Sequence, residues 1–477
     1  MQKRNKIYIL ILFAIFPLSQ IIKAQSNTLY FMDGIHQSGS LNPAYQNSCN
    51  GFLALPGIGG FSVDAANTGF DFNDLIHPGT GTYKDSLVID FQNIKSKLAN
   101  SNNLLVGTQV PILGIGFWVR NSYITFEISN KTKARLAYPE DLIKITDGNA
   151  NYIGVDNPLE IKGFGPNIIN YNEFALGFSK QITHRLIVGG KLKFLAGNAS
   201  IESRRGELKL FTEEDTYKMT LVTDLQLNVS GPINYIYDAN GNISDFEFDD
   251  SNIAGSIIST KNVGMGIDLG ASYLLNDEIK LYASVTDLGF INWRANTSNL
   301  SQSGSFVFSG FNLDSVWTDS DYDEAQAIVD SISDFFSFTQ TESKFTTFLN
   351  TNIFLGATYE LTNFMNVGLL AKTYFYNRKV HQAFTLSANL EPTKWFTGTF
   401  SYSIMNREYK NIGLGIGIKT GPVQFYLVTD HLNAAFWPKN SKTFGMQFGF
   451  NFYFGCGKRD NFSMLKDKKS QKEIDFM

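Results

Sequence analysis

After residue 24 the sequence has no run of about 18 apolar residues, so it holds no candidate transmembrane helix. A basic field that would point to nucleic acid is missing as well: formal net charge is −4. Histidines are few, five in all, and lie far apart in sequence. The chain contains no HExxH, CxxC, GxSxG or Walker loop. These absences leave no catalytic set, no metal-ligating set, no cofactor motif and no reason to expect an enzyme. Cysteine is nearly absent, with Cys49 and Cys456 alone, and neither has a histidine nearby to make it a catalytic thiol.

What remains is distinctive. The 477 residues include 41 Phe and 21 Tyr, more rings than a soluble core of ordinary size needs. In a membrane barrel such rings can face lipid and form interfacial girdles. At the N-terminus, Lys3, Arg4 and Lys6 precede an apolar stretch from Ile7 to Leu18. Cleavage after Ala24 would leave Gln25 as the mature start, so residues 1–24 read as a secretory signal peptide. Export without a helical anchor leaves the periplasm, the exterior or the outer membrane.

Alternation with period two decides among them. Val263, Met265, Ile267, Leu269, Ala271 and Tyr273 share one face, against Gly264, Gly266, Asp268, Gly270 and Ser272. Ile412, Leu414, Ile416 and Ile418 oppose Asn411, Gly413, Gly415 and Gly417; Phe444 to Phe454 and Tyr217 to Val229 repeat the pattern. These stretches run for about 9–14 residues, the length a tilted membrane strand needs and longer than the usual strand of a soluble protein. Strand starts fall near 52, 104, 122, 171, 184, 200, 217, 262, 278, 350, 363, 382, 394, 409, 422 and 441. Counted in order, the tight joints near 121, 183, 277, 362, 393 and 421 fall at one end. The long excursions 68–103, 137–170, 230–261 and 291–349 fall at the other. Short periplasmic turns and long external loops are the habit of outer-membrane barrels.

The expectation is therefore an all-β, antiparallel transmembrane barrel spanning 51–454, with 14 strands, or up to 16. The smaller number applies if 200–212 and 217–229 project outside the membrane. Helices are expected in the external excursions near 90–99, from Pro139, and over 322–336, where Ile328, Val329, Ile332, Phe335 and Phe336 share a face. The tail 455–477 falls on the periplasmic side. Because an even-stranded barrel pairs its first and last strands, Cys49 and Cys456 meet at one rim, and a seam disulfide is expected there, the alternative being two free thiols.

Other features read more plainly. The Gly264–Gly266 and Gly413–Gly417 runs lack a following helix and suit a lumen face where small residues make room for a plug. Asp238, Asn240, Asn242 and Asp319, Asp321, Asp323 resemble calcium loops but lack the required glycine; Tyr237–Asn242 reads as a hairpin turn. Lys191, Lys193, Arg204, Arg205 and Lys209, with Glu202 and Glu207, suit a salt-bridged rim more than a head-group or lumen site.

At Ser38-Gly-Ser-Leu-Asn-Pro-Ala-Tyr45, an Asn-Pro-Ala element precedes a glycine-rich first strand. This resembles FadL-like fatty-acid transporters and PorV-like barrels, and over nearly the full mature length an uncharacterised Bacteroidota outer-membrane barrel family. The resemblance also draws on Pro139-Glu-Asp-Leu142, the acidic stretch before 350 and Phe454-Gly-Cys456. It implies fourteen strands and a segment, 25–50, folded into the lumen as a plug. It implies no substrate, and no fatty-acid path residues transfer.

Two functions follow as expectations. One is passage or binding of a hydrophobic ligand at an apolar pocket beside Leu41, Asn42, Pro43, Ala44 and Tyr45, with a lateral wall opening. The other is a PorV-like scaffold in an outer-membrane secretion or assembly complex, with an outer-membrane or periplasmic protein partner. Outer-membrane lipid is the surrounding partner in either case. An open hydrophilic porin is disfavoured because the lumen faces read as Gly- and Ser-rich rather than charged.

Overall fold

The computed structural model describes residues 27–79, 81, 84, 86–237, 243–248, 261–308, 338–376, 379–405 and 408–456. The expected signal peptide 1–24, most of the expected turn 237–242, the expected helix 322–336 and the tail beyond Cys456 lie outside the described residues.

Fourteen antiparallel strands close into one ring. They are β1 (Gly51–Ala54, resuming at Phe61–Asn67), β2 (Asn102–Val119), β3 (Ser122–Tyr138), β4 (Gly165–Thr183) and β5 (Leu186–Thr212). β6 (Val263–Leu274), β7 (Ile279–Trp293), β8 (Asn352–Thr362), β9 (Met365–Tyr376) and β10 (Lys379–Thr393) follow. The ring ends with β11 (Phe396–Met405), β12 (Glu408–Thr420), β13 (Val423–Thr429) and β14 (Thr443–Phe454). Closure comes from Gly51–Phe454, Phe52–Tyr453 and Leu53–Phe452.

The count of fourteen has a local cause at β5. Its first part, Leu186–Ala196, pairs with β6. Beyond Gly197 it stays paired with β4 as far as Glu202, but on its other side Ser200–Thr212 exchanges β6 for Met219–Ser230. That strand pairs with Thr297–Phe308, forming a sheet at the long-loop end that the ring does not include. The stretches beginning near 184 and 200 are thus one strand, and 217–229 stands outside the ring.

The alternation holds around the wall. Met265, Leu269 and Tyr273 are exposed while Gly264, Asp268 and Ser272 are buried. Phe384, Leu386, Phe400, Tyr402, Phe448 and Phe450 likewise face outward. No helix among the described residues is long and apolar enough to cross a bilayer; strands do the crossing. A closed, even-stranded ring with an apolar outer belt and tight turns at one end is the build of a bacterial outer-membrane protein. Short helices sit outside the ring at Phe91–Lys97 and Asp141–Lys144, each within an excursion where one was predicted.

Cys49 and Cys456 form the seam disulfide. It ties the chain entering β1 to the chain leaving β14, at the short-turn end.

Candidate functional site: the filled lumen

Residues 28–50 lie inside the ring. Two short 3-10 helices, Thr28–Phe31 and His36–Ser40, shape its first half. Leu29, Met32 and Ile35 pack with Tyr426 and Val428. Tyr30 and Phe31 pack with Tyr282, Phe354 and Leu370. Glycine on the inner faces makes this approach feasible. A Cβ at Gly413, Gly415 or Gly417 would meet Thr28, Met32 or Ile35, and one at Gly189 would meet the Pro43 carbonyl. Gly413, Gly415 and Gly417 face the lumen, as expected from their alternation. Gly264 and Gly266 also face inward, but they accommodate the Phe290–Ile291 stretch and Lys193 rather than the inner segment.

The start of the segment is held by Asp430, which follows β13. Its carboxylate accepts the Asn27 and Thr28 backbone N–H groups, both at 2.8 Å, and the Thr28 hydroxyl. Burial pushes this carboxyl up to about 6, against the pull of those donors.

The Asn-Pro-Ala element forms a turn at the other end. The Asn42 side-chain oxygen accepts the Ala44 N–H at 3.0 Å, an Asx-turn. The Leu41 carbonyl accepts from Ser284 at 2.7 Å, and the Ala44 carbonyl accepts from Ser179 at 3.3 Å. Tyr45 places its ring 6.1 Å from that of His36. Beside this turn lies a cavity of about 270 Å³. An apolar pocket is expected there from sequence; the observed lining is largely polar, with Asp33, Asn42, Gln46, Ser48, Lys280 and Glu391 among its residues.

Above the segment lies a feature that residue composition alone does not suggest, a layer of buried ions. His36 Nε2 contacts Glu127 at 2.8 Å, and Lys191 contacts the other Glu127 oxygen at 2.8 Å. Lys131 pairs with Glu173 at 2.8 Å. Lys193 reaches Asp268 at 2.7 Å and Asp287 at 2.8 Å, and Lys133 reaches Asp287 at 3.3 Å. The four lysines and four carboxylates balance, so the layer carries no net charge while His36 is neutral. Burial holds the His36 imidazole below its ordinary value, against the pull of Glu127. The ring also stacks on Phe52 at 3.4 Å. Lumen faces are therefore lined with charge as well as Gly and Ser, which corrects the composition-based view. The signal was present as charges two residues apart, Lys131/Lys133 and Lys191/Lys193, on one strand face. The rest of the basic cluster divides as a salt-bridged rim would: Arg205 pairs with Asp224 at 2.5 Å and Lys209 with Glu160 at 2.7 Å.

Next comes an apolar layer of Tyr171, Leu195, Ile291, Trp293, Phe345 and Leu349. At the long-loop end a cavity of about 650 Å³ adjoins it. Ile168, Ile169, Ile201, Phe348, Leu349 and Phe375 line this cavity beside Lys133, Arg135 and Arg204.

The wall carries several register shifts, and at one place a strand is interrupted outright. β1 breaks at residues 55–60, with Ala54 opposite Gly114 and Ser62 opposite Gln109 in β2. Seven residues thus face four, and β2 carries its own bulge between Pro111 and Leu113. A small cavity of about 60 Å³ reaches this break from the ion layer, between Ala54, Phe61 and Pro111 on one side and Glu127 and Lys191 on the other.

No group of residues among those described could hold a metal ion. No curated protein matches the chain. Among solved structures it is similar to the Pseudomonas putida toluene transporter TodX, at 9% identity over 87% of this chain and 92% of that one, with a TM-score of 0.37. Similarity to the Ralstonia pickettii toluene transporter TbuX is 10% identity over 88% and 94%, TM-score 0.40. For a Pseudomonas aeruginosa FadL homologue it is 8% over 91% and 99%, TM-score 0.39. The closed ladder, rather than these likenesses, establishes the barrel. Residues 43–430 match the model of a family of unknown function, DUF5723, and the chain belongs to that family.

Proposed function

We propose that the protein is a plugged outer-membrane barrel that binds hydrophobic small molecules at its outer mouth and passes them sideways rather than down its axis. The carrying observation is the cavity of about 650 Å³ at the long-loop end, where apolar side chains line a space flanked by Lys133, Arg135 and Arg204. Its size is that of an ordinary ligand pocket, and its mixed lining suits a molecule with an apolar body and a polar or anionic end. An axial route would cross paired buried charges and then residues 28–50, which act as the plug in this reading. An apolar solute has no favourable contact there. The lateral exit in this reading lies beside the cavity itself, where Phe348 and Phe375 are exposed, because the break at 55–60 is reached from the ion layer.

The test is ligand uptake by the delipidated barrel in detergent. Saturable binding of a long-chain fatty acid should weaken at least tenfold in an Arg135→Ala, Arg204→Ala double variant. A barrel that takes up neither fatty acid nor a neutral apolar ligand would remove the proposal. A scaffold role has its own observation, the sheet of Ser200–Thr212, Met219–Ser230 and Thr297–Phe308 at the long-loop end. Affinity purification that returns only the lone barrel would remove the second reading.

A further inference from the structure

The seam disulfide has an asymmetric setting. Cys49 is buried, at 2% exposure, whereas Cys456 is exposed. The Lys419 ammonium lies 3.1 Å from the Cys49 sulfur and 5.2 Å from the centre of the Tyr453 ring. Among the described residues no carboxylate forms an ion pair with Lys419, although most buried lysines of this barrel have one. The cation is thus directed at one sulfur of the bond, and the other sulfur belongs to an exposed residue.

Thiol–disulfide exchange depends on which sulfur is reachable and on how well the other leaves. A thiolate beside an ammonium is stabilised, so it departs more readily. We infer that Cys49–Cys456 is an exchange site for a dithiol reductant of the periplasm, attacked at Cys456 with Cys49 as the leaving group. The reductant's thiolate bonds to the Cys456 sulfur as the Cys456–Cys49 bond breaks, and the electron pair stays on Cys49 beside Lys419. The second thiol of the reductant then attacks the mixed disulfide, frees Cys456 as a thiolate that takes a proton from water, and leaves the reductant oxidised by two electrons.

The seam gives this exchange a structural consequence. Near the disulfide, β1 and β14 are joined through Gly51–Phe454, Phe52–Tyr453 and Leu53–Phe452, and beyond the break at Phe61–Phe448. Breaking the bond leaves these rungs, with the Asn50 N–H to Gly455 carbonyl contact at 3.4 Å, to hold the end of the inner segment at the rim. This inference is independent of any ligand at the outer mouth.

The experiment uses the folded full chain in detergent, briefly exposed to 2-mercaptoethanol, quenched with iodoacetamide and read by peptide mass spectrometry. The mercaptoethanol adduct is expected on Cys456 and the alkyl group on Cys49; the opposite assignment overturns the inference. Reduction by dithiothreitol should slow about three- to tenfold in Lys419→Met and return toward the native rate in Lys419→Arg. An unchanged rate in Lys419→Met, or a bond that resists reduction until the barrel unfolds, also overturns it. Should Lys419→Met fail to fold, the adduct position in the native chain decides alone.

Discussion

Asp430 shows how much one carboxylate can hold in place. It satisfies two backbone N–H groups and a hydroxyl at the start of the inner segment, all in a buried setting. Removing it strands those donors, each at a cost of about 1–3 kcal/mol. Asp430→Ala should therefore loosen the first turn of the segment, seen as faster amide exchange at Thr28–Phe31, while Asp430→Asn retains part of the contact. The pH response has a definite sign. The carboxyl sits at about 6 in the folded chain, above its unfolded value, so the protonated form is favoured by folding. Its contribution to stability is complete below about pH 4 and is lost as pH rises through about 6. Thermal midpoints measured from pH 4 to 7 should fall over that window, and Asp430→Asn should flatten the profile. None of this was legible in the sequence. Asp430 is one acidic residue in a connection, 402 positions from Thr28, and only ring closure brings the two together.

At the scale of the strand, much more was legible. Alternating side chains announce which face meets lipid, and tight joints announce which end they share, because both depend on local chain geometry. The fork in β5 was harder: period two states that 186–212 is extended but not which neighbour each half takes. Glycine placement was readable where the alternation was clear, as at 413–417. Gly189 and Gly190 turn this into an experiment, since they are adjacent and point to opposite sides. A Cβ at Gly189 would overlap the Pro43 carbonyl, a backbone atom that cannot rotate away. At Gly190 the nearest atoms stand at ordinary contact distance, 3.4 Å from the Asp268 carbonyl and 3.6 Å from Leu269. Gly189→Ala should cost about 1–3 kcal/mol and expose the Asn42–Ala44 turn to protease, while Gly190→Ala should change neither. Equal protease resistance in the two variants would mean that the turn is not seated against β5.

For the whole molecule, the order of layers matters more than any one contact. From the long-loop end the lumen presents a mixed cavity, an apolar layer, a neutral ion layer, the inner segment and a polar cavity. Buried lysines and carboxylates are tolerable because each finds an opposite partner, and removing a partner leaves an uncompensated charge. The ion layer and the segment are joined through His36, Glu127 and Lys191, so they should stand or fall together. Deleting residues 27–48, which keeps Cys49 and the closing rungs, strips His36 from Glu127 and vacates the space against Gly189 and Gly415. Water can then reach the paired charges from the periplasmic side and weaken them by screening. In planar bilayers the intact chain should give no steady conductance, and the deletion should give a cation- and anion-permeable pore of low selectivity, as expected for a lumen with no net charge. A silent deletion variant that still inserts and runs as a folded barrel would shift the seal to the Tyr171–Trp293 layer, which neither the segment nor the ions support.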